Sequence, residues 1–266
     1  MGRIKGFRLE SVVPHGVGGP EAGAINLIYS ILLKEFEQDF YRFFINQIGN
    51  DLNEFEMKGP GNKIYINIRY PGYHDFETKT VDEKNRIRLV IIHTALLRVA
   101  KFDKRLDIHK LELIRNKIIE MNFHFEFAIK KFVNTKNRGL IAKIVVIPQM
   151  DKFSYYVVIE NGGTETGKLL IYEGGTSLYY FPMFFQKGQW ISNNEIIITG
   201  KENIVETHVL INENRVEYVN LTPYEKPPLF ELMKSDISKE DKKKASKDWH
   251  HSLPPHIDAA LNYKAN

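Results

Sequence analysis

The chain has 266 residues, 43% of them hydrophobic, with no cysteine and a net charge of +4. That length and apolar share suffice for one large domain or two modest ones with ordinary packed cores. The lack of cysteine excludes disulfides, thiolate zinc sites and cysteine nucleophiles, and it fits a reducing, cytoplasmic location.

At the N-terminus, Arg3, Lys5, Arg8 and Glu10 interrupt the apolar stretch that a secretory signal requires. Gly2 suits a myristoylation site, but Gly6 stands where the acceptor pattern wants Ser or Thr. Residues 7–13 read as a short strand, and the Gly/Pro-rich stretch from His15 to Pro20 interrupts it. From Ile25 the apolar positions Ile28, Tyr29, Leu32, Leu33, Phe36, Phe40, Phe43, Phe44 and Ile48 follow the i, i+3, i+4, i+7 rhythm. This predicts one amphipathic helix ending at Gly49.

Ile64, Ile66 and Ile68 alternate with Tyr65, Asn67 and Arg69, a half-buried strand, and a second strand is expected from Phe76 to Val81. A central helix follows from about Glu83 to Lys101. Its longest apolar run, Leu89 to Ile92, is far too short to span a membrane. Asp107 is the expected N-cap of a third helix with Leu111, Ile114, Ile118 and Ile119 facing the core.

After Met121 the period changes from 3.6 to 2. Phe123, Phe125, Phe127 and Ile129 alternate with His124, Glu126, Ala128 and Lys130. Further strands are expected at 140–148, 153–160, 168–172, 195–199, 204–211 and 215–221, divided by Gly and Asn turns. The reading is therefore α+β, a helical N-terminal half packed with a mainly antiparallel β-meander C-terminal half. Three regions result. Residues 1–121 are helix-rich, 122–222 are β-rich, and 223–266 form a proline- and lysine-rich tail with a short helix capped by Ser238 and Asp241. Residues 234–247 hold six lysines against Asp236, Glu240 and Asp241, so most of the net charge is a basic tail on a nearly neutral body. That distribution argues against a nucleic-acid partner.

Each catalytic or cofactor pattern lacks a required residue. Gly162 to Lys168 fits G-x-x-x-x-G-K, but Leu169 follows where magnesium needs Ser or Thr, so a hairpin turn is expected. The glycines at 16, 18, 19 and 23 miss the dinucleotide spacing at Glu21. Glu77 and Lys79 form an E-x-K element of the kind metal-dependent nucleases use, with Asp75 close by. The preceding strand supplies no aspartate. His250, His251 and His256, with Asp248 and Asp258, lie in a terminal segment that offers no second shell for a metal. His93 falls among apolar helix positions and reads as a satisfied core histidine.

No catalytic residue, cofactor or metal is therefore assigned. The remaining feature is the aromatic stretch Tyr172 to Trp190. Tyr179, Tyr180, Phe184, Phe185 and Trp190 are expected to contact a protein partner. The expectation is a non-enzymatic protein-binding module, such as an immunity-type neutraliser of a toxin or enzyme, with no membrane contact and no oligomeric state implied. A metal-dependent nuclease or phosphodiesterase using Glu77 and Lys79 is the alternative.

Overall fold

The computed structural model describes residues 7–11, 18, 22–37, 42–47, 55–58, 63–68, 73–104, 106–150, 152–174, 176, 184–200, 205–221, 238, 240, 241 and 244. The chain forms two compact units. One comprises residues 1–126 with 147–153 and 175–177, and the other residues 127–146, 154–174 and 178–266.

The first unit holds a four-stranded sheet and three helices. Strands β1 (Phe7–Ser11), β2 (Arg42–Gln47), β3 (Phe55–Lys58) and β4 (Lys63–Ile68) lie in the order β1-β2-β4-β3. β2 is parallel to both β1 and β4, and β3 is antiparallel to β4. Helix α1 (Gly23–Glu35) connects the parallel pair β1 and β2. It buries Ile25, Ile28, Tyr29, Leu32 and Leu33, the stripe expected from the sequence. It stops short of the expected end, because Phe36 closes the last turn and Glu37 takes a positive φ of 53°. Residues 42–47 then join the sheet as a central strand. Phe43, Phe44 and Ile45 are β-prone, and two ladders satisfy their backbone groups where a helix would satisfy the same groups internally. Ile45, which the helical stripe left out, is fully buried.

The strand expected at 76–81 is instead a 3-10 turn, Tyr73–Thr78, leading into α2 (Val81–Ala100). Thr80 and Glu83 form a reciprocal capping box at its start. Phe76 is buried at this junction beneath the Arg88 guanidinium, 5.0 Å from the ring centre. Asp107 caps α3 (Ile108–Glu120), its Oδ1 accepting from the His109 and Lys110 amides at 2.8 and 3.3 Å. Leu111, Ile114 and Ile118 are buried, while Ile119 is half-buried. The helices pack on one another, with α1 against β1 and α2 against β4.

The second unit carries two antiparallel four-stranded sheets. β5 (Phe127–Val133), β6 (Leu140–Pro148), β7 (Phe153–Asn161) and β8 (Thr164–Gly174) make one, in the order β5-β6-β7-β8. β9 (Lys187–Trp190), β10 (Glu195–Thr199), β11 (Val205–Leu210) and β12 (Arg215–Asn220) make the other, in the order β12-β11-β10-β9. Period-2 burial is clear along them, with Ala142, Ile144 and Val146, then Ile196 and Ile198, and Val205, Thr207 and Val209 all fully buried. The first strand begins at Phe127 and not at Phe123. Asn122 and Phe123 adopt positive φ after α3, and the Phe123 amide bonds back to the Ile118 carbonyl, which closes the helix end.

Side-chain hydrogen bonds join the two sheets. The Tyr218 hydroxyl, on β12, donates to the Ile171 carbonyl on β8 at 2.8 Å. On β9, Trp190 donates its indole N–H to the Phe132 carbonyl on β5 at 3.2 Å. Beside it the Phe132 ring fills the space where Gly188 has no side chain. In the C-terminal region, the Ser238 hydroxyl accepts from the Asp241 amide at 3.1 Å and donates to its carboxylate, the expected cap. Residues 234–237, 239, 242, 243 and 245–247, and the histidine-containing tail, lie outside the described residues.

Candidate functional site

The aromatic residues expected at a partner surface have different fates. Tyr179 and Tyr180 lie outside the described residues. Phe184 and Phe185 are 1% exposed and belong to the core of the β-rich unit. Phe184 packs on Tyr172 with ring centres 5.6 Å apart, Phe185 on Tyr155 at 5.7 Å, and the two phenylalanines touch each other at 6.0 Å. Tyr155 and Tyr172 complete the cluster at 5.6 Å, and burial pushes the Tyr155 phenol above its ordinary range. Two adjacent rings in an irregular segment can both turn inward, which strand alternation would forbid. The correction to the sequence reading is that these two rings are core.

Trp190 alone of the described members reaches the surface, half-buried at the end of β9. It lines a groove of about 350 Å³ with Asn134, Thr135, Lys136, Asn137, Ile191, Ser192 and Asn193. Two turns build this groove, the β5–β6 turn and the β9–β10 turn. Asn134 organises the first. Its side-chain oxygen accepts from the Lys136 and Asn137 amides at 2.9 and 3.2 Å, and its backbone amide donates to the Leu140 carbonyl. Its side-chain amide donates to Asn193 Oδ1 at 3.3 Å, which ties the two turns together across 59 residues of sequence. Ser192 braces the second turn by accepting from the Asn194 amide. The asparagine-rich turns were legible as turns, but nothing in the sequence marks them as neighbours.

Glu77 is exposed on the 3-10 turn and stands 3.5 Å from the Lys84 ammonium, with Asp75 also exposed. Among the described residues no group of three His, Asp or Glu side chains is placed to hold a metal ion. The Gly162–Lys168 segment is the β7–β8 hairpin, with Gly162 and Gly163 at φ 60° and 86° as a tight two-residue turn demands. Lys168 extends over the Tyr156 ring, 5.0 Å from its centre. Among the described residues no helix is long and apolar enough to cross a membrane.

In the helical unit, polar side chains from all three helices come together, Tyr29 and His93 buried and Glu112 partly exposed. The Tyr29 hydroxyl lies 3.0 Å from His93 Nδ1, and His93 Nε2 lies 3.1 Å from a Glu112 carboxylate oxygen. The carboxylate favours the proton on Nε2, which leaves Nδ1 to accept from Tyr29. Burial holds the imidazole below its ordinary value, opposed by Glu112 and assisted by Arg115. A base with a depressed folded-state pKa takes up fewer protons than the unfolded chain below about pH 6.5, so stability falls as the solution is acidified. Urea unfolding between pH 7.5 and 5.0 is expected to show this loss, and His93→Gln is expected to flatten it. An unchanged pH dependence in the variant would remove His93 from the account.

Comparison with known proteins finds no matching family model, no similar curated protein and no similar solved structure.

Proposed function

We propose that the chain is a non-enzymatic protein-binding module that docks a partner on the Trp190 groove of its β-rich unit. A neutraliser of a toxin or enzyme, acting in the cytoplasm, is the concrete form. The observation that supports it is the groove itself. An indole is held at the junction of two hairpin turns by its own N–H, with exposed Ile191 beside it and a rim of amides and hydroxyls. Interface anchors combine these features: a rigid aromatic with few rotatable bonds, an apolar neighbour and a polar surround that excludes water. This reading takes each sheet as a meander, so that the two turns are rigid connections between consecutive paired strands.

Affinity capture from the source cells tests the proposal. The wild-type chain is expected to retain a protein that Trp190→Ala releases. Magnesium- or manganese-dependent cleavage of DNA or RNA by the pure protein, lost in Glu77→Ala, would replace the proposal with the nuclease reading.

A further inference from the structure

The two turns that build the groove, and the strands β5, β6 and β9 beside them, are free of carboxylates. Residues 127–150 contain Lys130, Lys131, Lys136, Arg138 and Lys143 and no Asp or Glu, and residues 174–194 contain Lys187 and again no acid. With 33 Asp and Glu among 266 residues, stretches of this length would ordinarily carry several. Lys143 is matched from the neighbouring strand by Glu160. Lys130, Lys131, Lys136, Arg138 and Lys187 are exposed and make no ion pair among the described residues. The next acidic residue along the second hairpin, Glu195, is engaged by His208 at 3.2 Å.

We propose that the Trp190 groove and its flanking lysines select an acidic segment of a protein partner, a strand or loop rich in Asp and Glu. The inference rests on the protein-binding reading above and specifies its partner. Lys136 lines the groove and the other exposed cations lie on the strands and turn that carry it; such charges attract carboxylates over a Debye length of about 8–10 Å and disfavour basic surfaces. The groove fits a peptide better than a nucleic acid. Single strands are held by a series of stacked rings along a basic track, whereas here one indole, its N–H already committed, sits among side-chain amides that match a peptide backbone.

The test measures binding of the full chain to three ten-residue probes at low salt: an oligoglutamate peptide, oligo-dT and a neutral Ser/Gly peptide. Oligoglutamate is expected to bind best, with its affinity falling as salt rises. Lys136→Glu/Arg138→Glu is expected to weaken it about tenfold or more, since it replaces attraction with repulsion on the β5–β6 turn that lines the groove. A Lys242→Gln/Lys243→Gln/Lys244→Gln variant tests the competing lysine-rich segment and is expected to change the affinity less than about twofold, the result required if the cations of the groove's own turns and strands carry the binding. Three results would overturn the inference: no oligoglutamate binding, loss of binding only in the 242–244 variant, or oligo-dT binding as tight as oligoglutamate with the same sensitivity at 136 and 138. If cells yield a partner captured through Trp190 while oligoglutamate is ignored, the acidic inference falls and the docking reading stands. Specific oligoglutamate binding without any captured partner that depends on Trp190 reverses that outcome.

Discussion

Alanine at Phe185 is expected to remove about 3–5 kcal/mol of folding stability, and Phe184→Ala a similar amount. Both rings are 1% exposed and each touches the other as well as Tyr172. Truncation therefore costs the transfer of a benzyl group to water and leaves a cavity that three remaining rings cannot close without moving. Urea unfolding reads the effect directly as a lower midpoint with an unchanged slope. Near wild-type stability in either variant would place that ring at a surface and return it to the list of partner contacts.

Gly188→Ala is expected to destabilise by about 1–3 kcal/mol, the ordinary cost of overpacking a filled site. A methyl group there would stand 2.5–2.7 Å from three ring carbons of Phe132, closer than carbon atoms approach. Phe132 cannot easily yield, because its strand is paired with Ala142 on β6 and its carbonyl accepts from the Trp190 indole. The glycine is thus demanded by space, since its backbone is an ordinary β9 rung opposite Ile198. Shortening the partner relieves the clash, so Phe132→Leu is expected to cost less in the Gly188→Ala background than alone. Strict additivity of the two changes would mean the contact is not what keeps position 188 small.

The sequence disclosed elements wherever one period dominated. Leu111, Ile114 and Ile118 recur at helical spacing and α3 forms. Ala142, Ile144 and Val146 alternate and β6 follows to the residue. It misled where a segment satisfies two periods at once. Phe43 and Phe44 extend the stripe of α1, yet the same two residues suit a strand, and only the two flanking ladders decide for β2. Phe76 and Lys79 looked like a strand because a 3-10 turn has no strong pattern of its own. β9 escaped notice because four residues with a glycine among them carry too little signal without β10 alongside. The groove escaped for a deeper reason. Asn134 and Asn193 are each ordinary turn residues, and their hydrogen bond is a product of how the two sheets meet. Trp190 was legible as an aromatic of interest, but its separation from buried Phe184 and Phe185 is a tertiary fact.

The most direct test of the docking surface is the dissociation constant of the captured partner for wild type and Trp190→Ala, measured beside their urea unfolding curves. The variant is expected to fold, losing about 1 kcal/mol from one indole hydrogen bond together with some half-buried area, while its affinity falls by at least about 2 kcal/mol, roughly thirtyfold. A partner that binds the folded variant as tightly as wild type would contradict the docking reading.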